Sequence, residues 1–133
     1  MILNYENYLP ESLSLPFEDC RRIHATMIAD IGSDEDALDL YNELLAMAVK
    51  YAGIRANWLS LSKQEKMDQD ASRTACHDSV IIKFNKLARY LRTIGKEAAW
   101  RNEVGDESAD PHIRKRIGDF ACYLAILNGL HAR

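Results

Sequence analysis

Proline, glycine and cysteine are all scarce in this sequence: 3 Pro, 6 Gly and 3 Cys among 133 residues. So few breakers leave little material for the turns of a strand-rich architecture, and they favour helices. The cysteines, Cys20, Cys76 and Cys122, are odd in number, far apart and each in a different predicted helix. That excludes a disulfide framework, and without a CxxC pair there is no zinc motif either, so all three read as small buried thiols. No apolar run approaches the ~20 residues needed to cross a bilayer. The opening MILNYENYLPES has neither the positive nor the apolar region of a secretion signal. A cytoplasmic protein with no membrane partner is the expectation. A diagnostic catalytic signature is also lacking, and no cofactor or metal is expected.

What is present suits one globular domain over residues 1–133, with a core that needs neither disulfide nor metal. Charge is unevenly spread. Residues 1–71 carry 6 basic and 13 acidic side chains, net −7, and residues 72–133 carry 11 and 7, net +4. The basic half could attract an anionic partner; it could also pair with the acidic half or with another subunit.

The longest helical pattern lies between Ser72 and Ile94. Val80, Phe84, Leu87, Leu91 and Ile94 recur at alternating steps of 4 and 3, which stacks them on one stripe of a 3.6-residue helix, and Cys76, Ile81 and Ala88 widen it. Residues 1–15 form an unperiodic lead. A first helix runs from about Pro16, suited to position N1, to Ile31, with Gly32 behind it. Ser33 is the expected N-cap of a second, two-seamed helix reaching about Leu59. Ser62 and Glu65 fit a capping box over a short polar helix, with a break or kink near Ser72 before the long one. A short helix within residues 96–104 carries Trp100. The loop GDESADP then leads to Asp110-Pro111, an N-cap and N1 pair, and to a last helix ending at Asn128. That last helix is apolar over most of its circumference, so it must be buried in the monomer or across an interface. The predicted fold is an all-α bundle of about four main helices with one or two short ones.

Two enzyme templates fit only in part. His24, His77-Asp78 and Asp119 follow the ligand order of metal-dependent phosphohydrolases of the HD class, but His77 and Asp78 point about 100° apart on a helix. Asp36, Asp39 and Glu43 supply one acidic face of an all-α nucleoside-triphosphate pyrophosphatase. The second face fails, because Asp119 has Arg116 where a carboxylate is needed.

The basic and polar set is more suggestive. Arg73, His77, Asn85 and Arg89 lie on or beside one side of the long helix, Arg101 follows Trp100, and Arg114, Lys115 and Arg116 open the last helix. Basic residues there oppose the helix macrodipole, so they do not serve local helix stability. Asp119, beside Gly118 in an apolar stretch, needs a partner, and Arg89 and Arg116 are the candidates. The candidate ligand-binding set is therefore Arg73, His77, Asn85, Arg89, Arg101, Arg116 and Asp119.

Taken together, HDSVIIKFNKLARYL, Trp100-Arg101 and RKRIGDFACYLAILNGL resemble a family of small helical proteins of unknown function from Gram-positive bacteria and their phages. The resemblance covers roughly residues 73–130. It implies an all-helical fold and supplies no activity. Three functions are therefore open. The leading one is a non-enzymatic interaction or structural protein, a homo-oligomer that as a dimer buries part of the last helix. The others are a binder of an anionic small molecule or nucleotide, and a divergent nucleotide hydrolase using Asp39, Glu43 and Asp119. Nucleic-acid binding ranks lower, since the chain is acidic overall and lacks a reading motif.

Overall fold

A computed structural model of the chain describes residues 14–58, 60–105 and 110–128. Residues 1–13 of the expected lead, the middle of the GDESADP loop and Gly129 lie outside the described residues. Five helices are present among those described: α1 Phe17–Ile31, α2 Glu35–Trp58, α3 Lys63–Thr93, α4 Ala99–Val104 and α5 Pro111–Leu127. The fold is all-α, with four main helices and one short one. No described helix is long and apolar enough to cross a membrane.

Local chemistry sets the helix ends. Pro16 occupies the N-cap of α1 rather than N1, its extended backbone (φ −60°, ψ 155°) turning into the helix without a side-chain cap. At α2 the cap is Asp34, not Ser33. Its Oδ1 accepts the Ala37 N–H at 2.9 Å and the Tyr90 hydroxyl at 2.8 Å, so one carboxylate both starts α2 and fastens it to α3. Those donors lower the Asp34 pKa, the Ala37 amide most, and Asp34 in turn pushes the Tyr90 phenol up to about 12. Ser62 and Glu65 form the expected capping box. Asp110 caps α5 ahead of Pro111. Gly105, which ends α4, has φ +142°, and a Cβ there would stand 2.7 Å from Ile113 Cγ1. Only glycine satisfies both conditions.

The expected break near Ser72 is absent: α3 runs unbroken through 31 residues. Its two halves differ in what holds them. From Cys76 onward it buries Val80, Ile81, Phe84, Leu87, Ala88 and Leu91. Before Cys76 no side chain is buried. That half relies on the capping box, a Gln64–Asp68 hydrogen bond, an Arg73–Asp70 ion pair and the Arg73 guanidinium stacked 4.5 Å from the centre of the Trp58 ring. Polarity reads as a break in sequence, but caps and i,i+4 pairs continue a helix that a buried segment has already nucleated.

The second helix is the central one, packing against both α3 and α5. Phe84 lies at the heart of the core, edge-on to Trp100 at 5.2 Å and to Phe120 at 5.8 Å. Trp100 is buried, with its indole N–H donating to Asp30 Oδ2 at 3.0 Å. The expected short helix is trimmed to six residues because Ala98 adopts a left-handed conformation (φ 49°) that delays its start. In α5, residues 117–125 are all buried within the chain. All three cysteines are buried and unbridged. Ile94, expected on the stripe of the long helix, is 40% exposed, and Phe17 and Ile28 of α1 are exposed as well.

Amide hydrogen exchange should divide α3 near Cys76. Residues 66–75 should exchange far faster than residues 80–91, because only the latter need global unfolding to open. Uniform protection along α3 would contradict this division.

Candidate functional site

The second, third and fifth helices enclose a cleft of about 350 Å³ lined by Tyr51, Arg55, Arg73, His77, Pro111, Arg114 and Lys115. Tyr51 and Arg55 come from the last two turns of α2, Arg73 and His77 are one turn apart on α3, and the other three come from the first five residues of α5. The cleft therefore gathers three guanidiniums, an ammonium, an imidazole and a phenol beside a helix N-terminus, where the macrodipole is positive.

Each guanidinium is anchored from outside this lining. Arg55 Nη1 donates to Asp119 Oδ1 at 3.0 Å, Arg73 Nη2 to Asp70 Oδ1 at 3.0 Å, and Arg114 Nη2 to Asp78 Oδ1. None of the three carboxylates lines the cleft. Arg73 also carries a buried Nε–H that no described residue accepts. Lys115 is exposed and ion-pairs with none of the described residues.

His77 is held on two sides. Its Nε2–H donates to the Arg114 carbonyl oxygen at 3.0 Å, and its ring stacks on Tyr51 with 5.1 Å between centres and 14° between planes. Burial lowers its pKa, and the nearby Arg114 and Arg55 charges push the same way against the carbonyl hydrogen bond and Asp78. Burial likewise raises the Tyr51 phenol, with Arg55 opposing. Gly118 makes room for this stack: a Cβ there would lie 2.9 Å from His77 Nε2 and 3.2 Å from Tyr51 Oη.

Of the seven sequence candidates, only Arg73 and His77 line the cleft. Asp119 stands behind it, fully buried, and its partners are neither Arg89 nor Arg116. Its Oδ1 meets Arg55, while Oδ2 accepts the Ser14 N–H at 2.9 Å and the Ser14 hydroxyl at 2.6 Å. Arg116 instead gives its N–H groups to the Val104, Ser14 and Glu103 carbonyl oxygens at 2.7, 2.6 and 3.1 Å, tying the end of α4 to the residues before α1. Asn85 and Arg101 are buried together elsewhere. Arg101 Nε donates to Asn85 Oδ1 at 2.6 Å, Nη1 donates to the Gly105 carbonyl, and the guanidinium lies 5.3 Å from the centre of the Phe84 ring. Arg89 is exposed. Tyr51 and Arg55 belonged to no candidate set. The available signal was an arginine near the end of a largely apolar helix, four residues after a tyrosine on the same face.

The metal templates find no geometry to support them. No three His, Cys, Asp or Glu side chains converge among the described residues. His24 shares a 3.0 Å hydrogen bond with Tyr41, Glu43 pairs with Lys83 at 2.7 Å, and Asp78 and Asp119 each hold an arginine. No family profile, curated protein or solved structure matches the chain.

Two substitutions test this arrangement. Alanine exceeds glycine in helix propensity by about 1 kcal/mol, yet Gly118→Ala should destabilise the protein by about 1–3 kcal/mol because its methyl group overlaps a pinned imidazole. Asp119→Ala should cost about 3–5 kcal/mol, since it leaves the half-buried Arg55 without its counter-charge. Urea unfolding curves measure both; a stabilised Gly118→Ala would mean that His77 moves aside freely.

Proposed function

We propose that this protein binds a small anionic molecule in the cleft between α2, α3 and the start of α5. One observation carries the reading: Arg55, Arg73, Arg114 and Lys115 converge from three helices on one concavity of a chain whose net charge is −3. Arg114 closes the first turn of α5 and Lys115 follows it, close to the helix end where cations are locally unfavourable, so their placement serves something other than helix stability. A guanidinium has five N–H donors, and pairing with one carboxylate does not exhaust it. The volume falls in the range of small-molecule sites, about 300–1,000 Å³.

The interaction-protein reading drew its support from the apolar last helix. Residues 117–125 of that helix are covered inside the chain, and the exposed large apolar side chains among the described residues come from α1, α2, α3 and its C-cap, and α5. The burial of the last helix therefore gives no argument for a second copy of the chain against it. The hydrolase reading lacks a converging ligand set among the described residues.

A thermal-shift screen at low salt against phosphate, nucleotides and small carboxylates tests the proposal. A ligand at 100 times its dissociation constant stabilises the folded state by about 2.7 kcal/mol. Arg114→Ala or Lys115→Ala should weaken binding about tenfold or more, equivalent to about 1.4 kcal/mol, while Lys86→Ala on the exposed face of α3 should leave it unchanged. A flat screen would remove the proposal.

A further inference from the structure

The cleft contains an imidazole that the ion pairs of its arginines do not engage. The His77 imidazole is fixed by its Nε2–H bond to the Arg114 carbonyl and by its stack on Tyr51. Nδ1 is the ring nitrogen left to take up a proton. The charged and titratable groups around it are Tyr51 and Arg55 from α2, Arg73 and Asp78 from α3, and Arg114 and Lys115 from α5. Cations outnumber carboxylates in that set, and burial, seconded by Arg114 and Arg55, lowers the imidazole pKa and so favours its neutral form. An anion entering the cleft reverses the balance, because it sets negative charge among the same cations.

Resting on the anion-binding reading, we propose that the cleft recognises a tetrahedral oxyanion, a phosphate or sulfate group carried by a small molecule, and that His77 takes up one proton from solvent as this group binds. A planar carboxylate satisfies one guanidinium fork in one plane. Donors arriving from three helices suit an anion whose oxygens point in several directions, as a phosphoryl group's three acceptor oxygens do. The remaining cleft volume accommodates an organic body attached to that group. The proton balance is simple: neutral imidazole, anion and solvent proton give imidazolium paired with anion. Affinity is therefore highest below the free-state pKa of His77 and falls as pH rises through its bound-state pKa.

The test is calorimetry on the intact chain with inorganic sulfate, whose charge is fixed where imidazole titrates, run in buffers of different ionisation enthalpy. Phosphate, a nucleoside monophosphate and acetate are measured alongside. Sulfate should bind with proton uptake, roughly tenfold more tightly at about pH 5.5 than at about pH 8, the interval over which histidine changes charge. Acetate should bind much more weakly. A nucleoside monophosphate should bind more tightly than inorganic phosphate.

His77→Gln, whose amide can still donate to the Arg114 carbonyl, should keep binding but lose the proton uptake. His112→Gln, on the exposed start of α5, should keep both. If His77→Gln fails to fold, the imidazole of the unaltered protein is followed by NMR with and without sulfate, and its titration should move to higher pH on binding. Sulfate binding without proton uptake, or uptake that follows His112, overturns the coupling and leaves the anion site standing. Acetate binding as tightly as sulfate overturns the tetrahedral preference. An oligonucleotide outcompeting the mononucleotide overturns the small-molecule source. Failure of every anion to bind overturns the site itself.

Discussion

The structure depends on a buried carboxylate. Asp119 lies within a run of nine consecutive buried residues of α5, and an ionised carboxylate in such surroundings costs several kcal/mol unless donors meet it. Three do: the Ser14 amide, the Ser14 hydroxyl and the Arg55 guanidinium. Satisfying this one group fixes the register of α5 against α2 and the point at which the chain enters α1. It also delivers Arg55 to the edge of the cleft, so a demand of the core positions a residue of the candidate site.

Arg116, almost one turn earlier on α5, reaches the Ser14 carbonyl oxygen. Ser14 is thus gripped through its amide, hydroxyl and carbonyl by two residues of one helix. Arg116 also collects the carbonyls of Glu103 and Val104, which α4 cannot satisfy internally at its end. A guanidinium suits this work because its planar donors can address several carbonyl oxygens at once. The buried Arg101–Asn85 pair plays a comparable part for α3 and α4, with Phe84 supplying an aromatic face. Positions that look like a polar surface in sequence are the rivets between helices.

The all-α architecture was legible because apolar periodicity and capping residues agree from Pro16 to Asn128. The boundaries that shifted did so for local reasons. Asp34 displaced Ser33 as a cap because a carboxylate there also receives Tyr90, a partner distant in sequence. The polar half of α3 looked like an interruption because its support comes from Trp58, across a chain reversal. The candidate site was half legible. Arg73 and His77 fall on one helix face, and the cations opening α5 stand out against its dipole. Helix geometry gave no means of separating them from Asn85 and Arg101, which share the polarity but meet each other inside the core. Arg55 and Tyr51 share a helix face in sequence, but their place beside His77 comes from the packing of α2 on α3 and α5, which the pattern along one helix does not contain.

Gly118 has a consequence for how this sequence can change over time. The missing Cβ at 118 is the space that the His77 ring and the Tyr51 hydroxyl occupy. A side chain at 118 presses on the aromatic pair unless that pair shrinks or turns away, and the ring at 77 sits without strain while 118 stays bare. The three positions, 67 residues apart at their extremes, therefore form one heritable unit. Any side chain added at 118 therefore falls first on the stack, and a change at 77 or 51 that shrinks or turns a ring is what would make room for it.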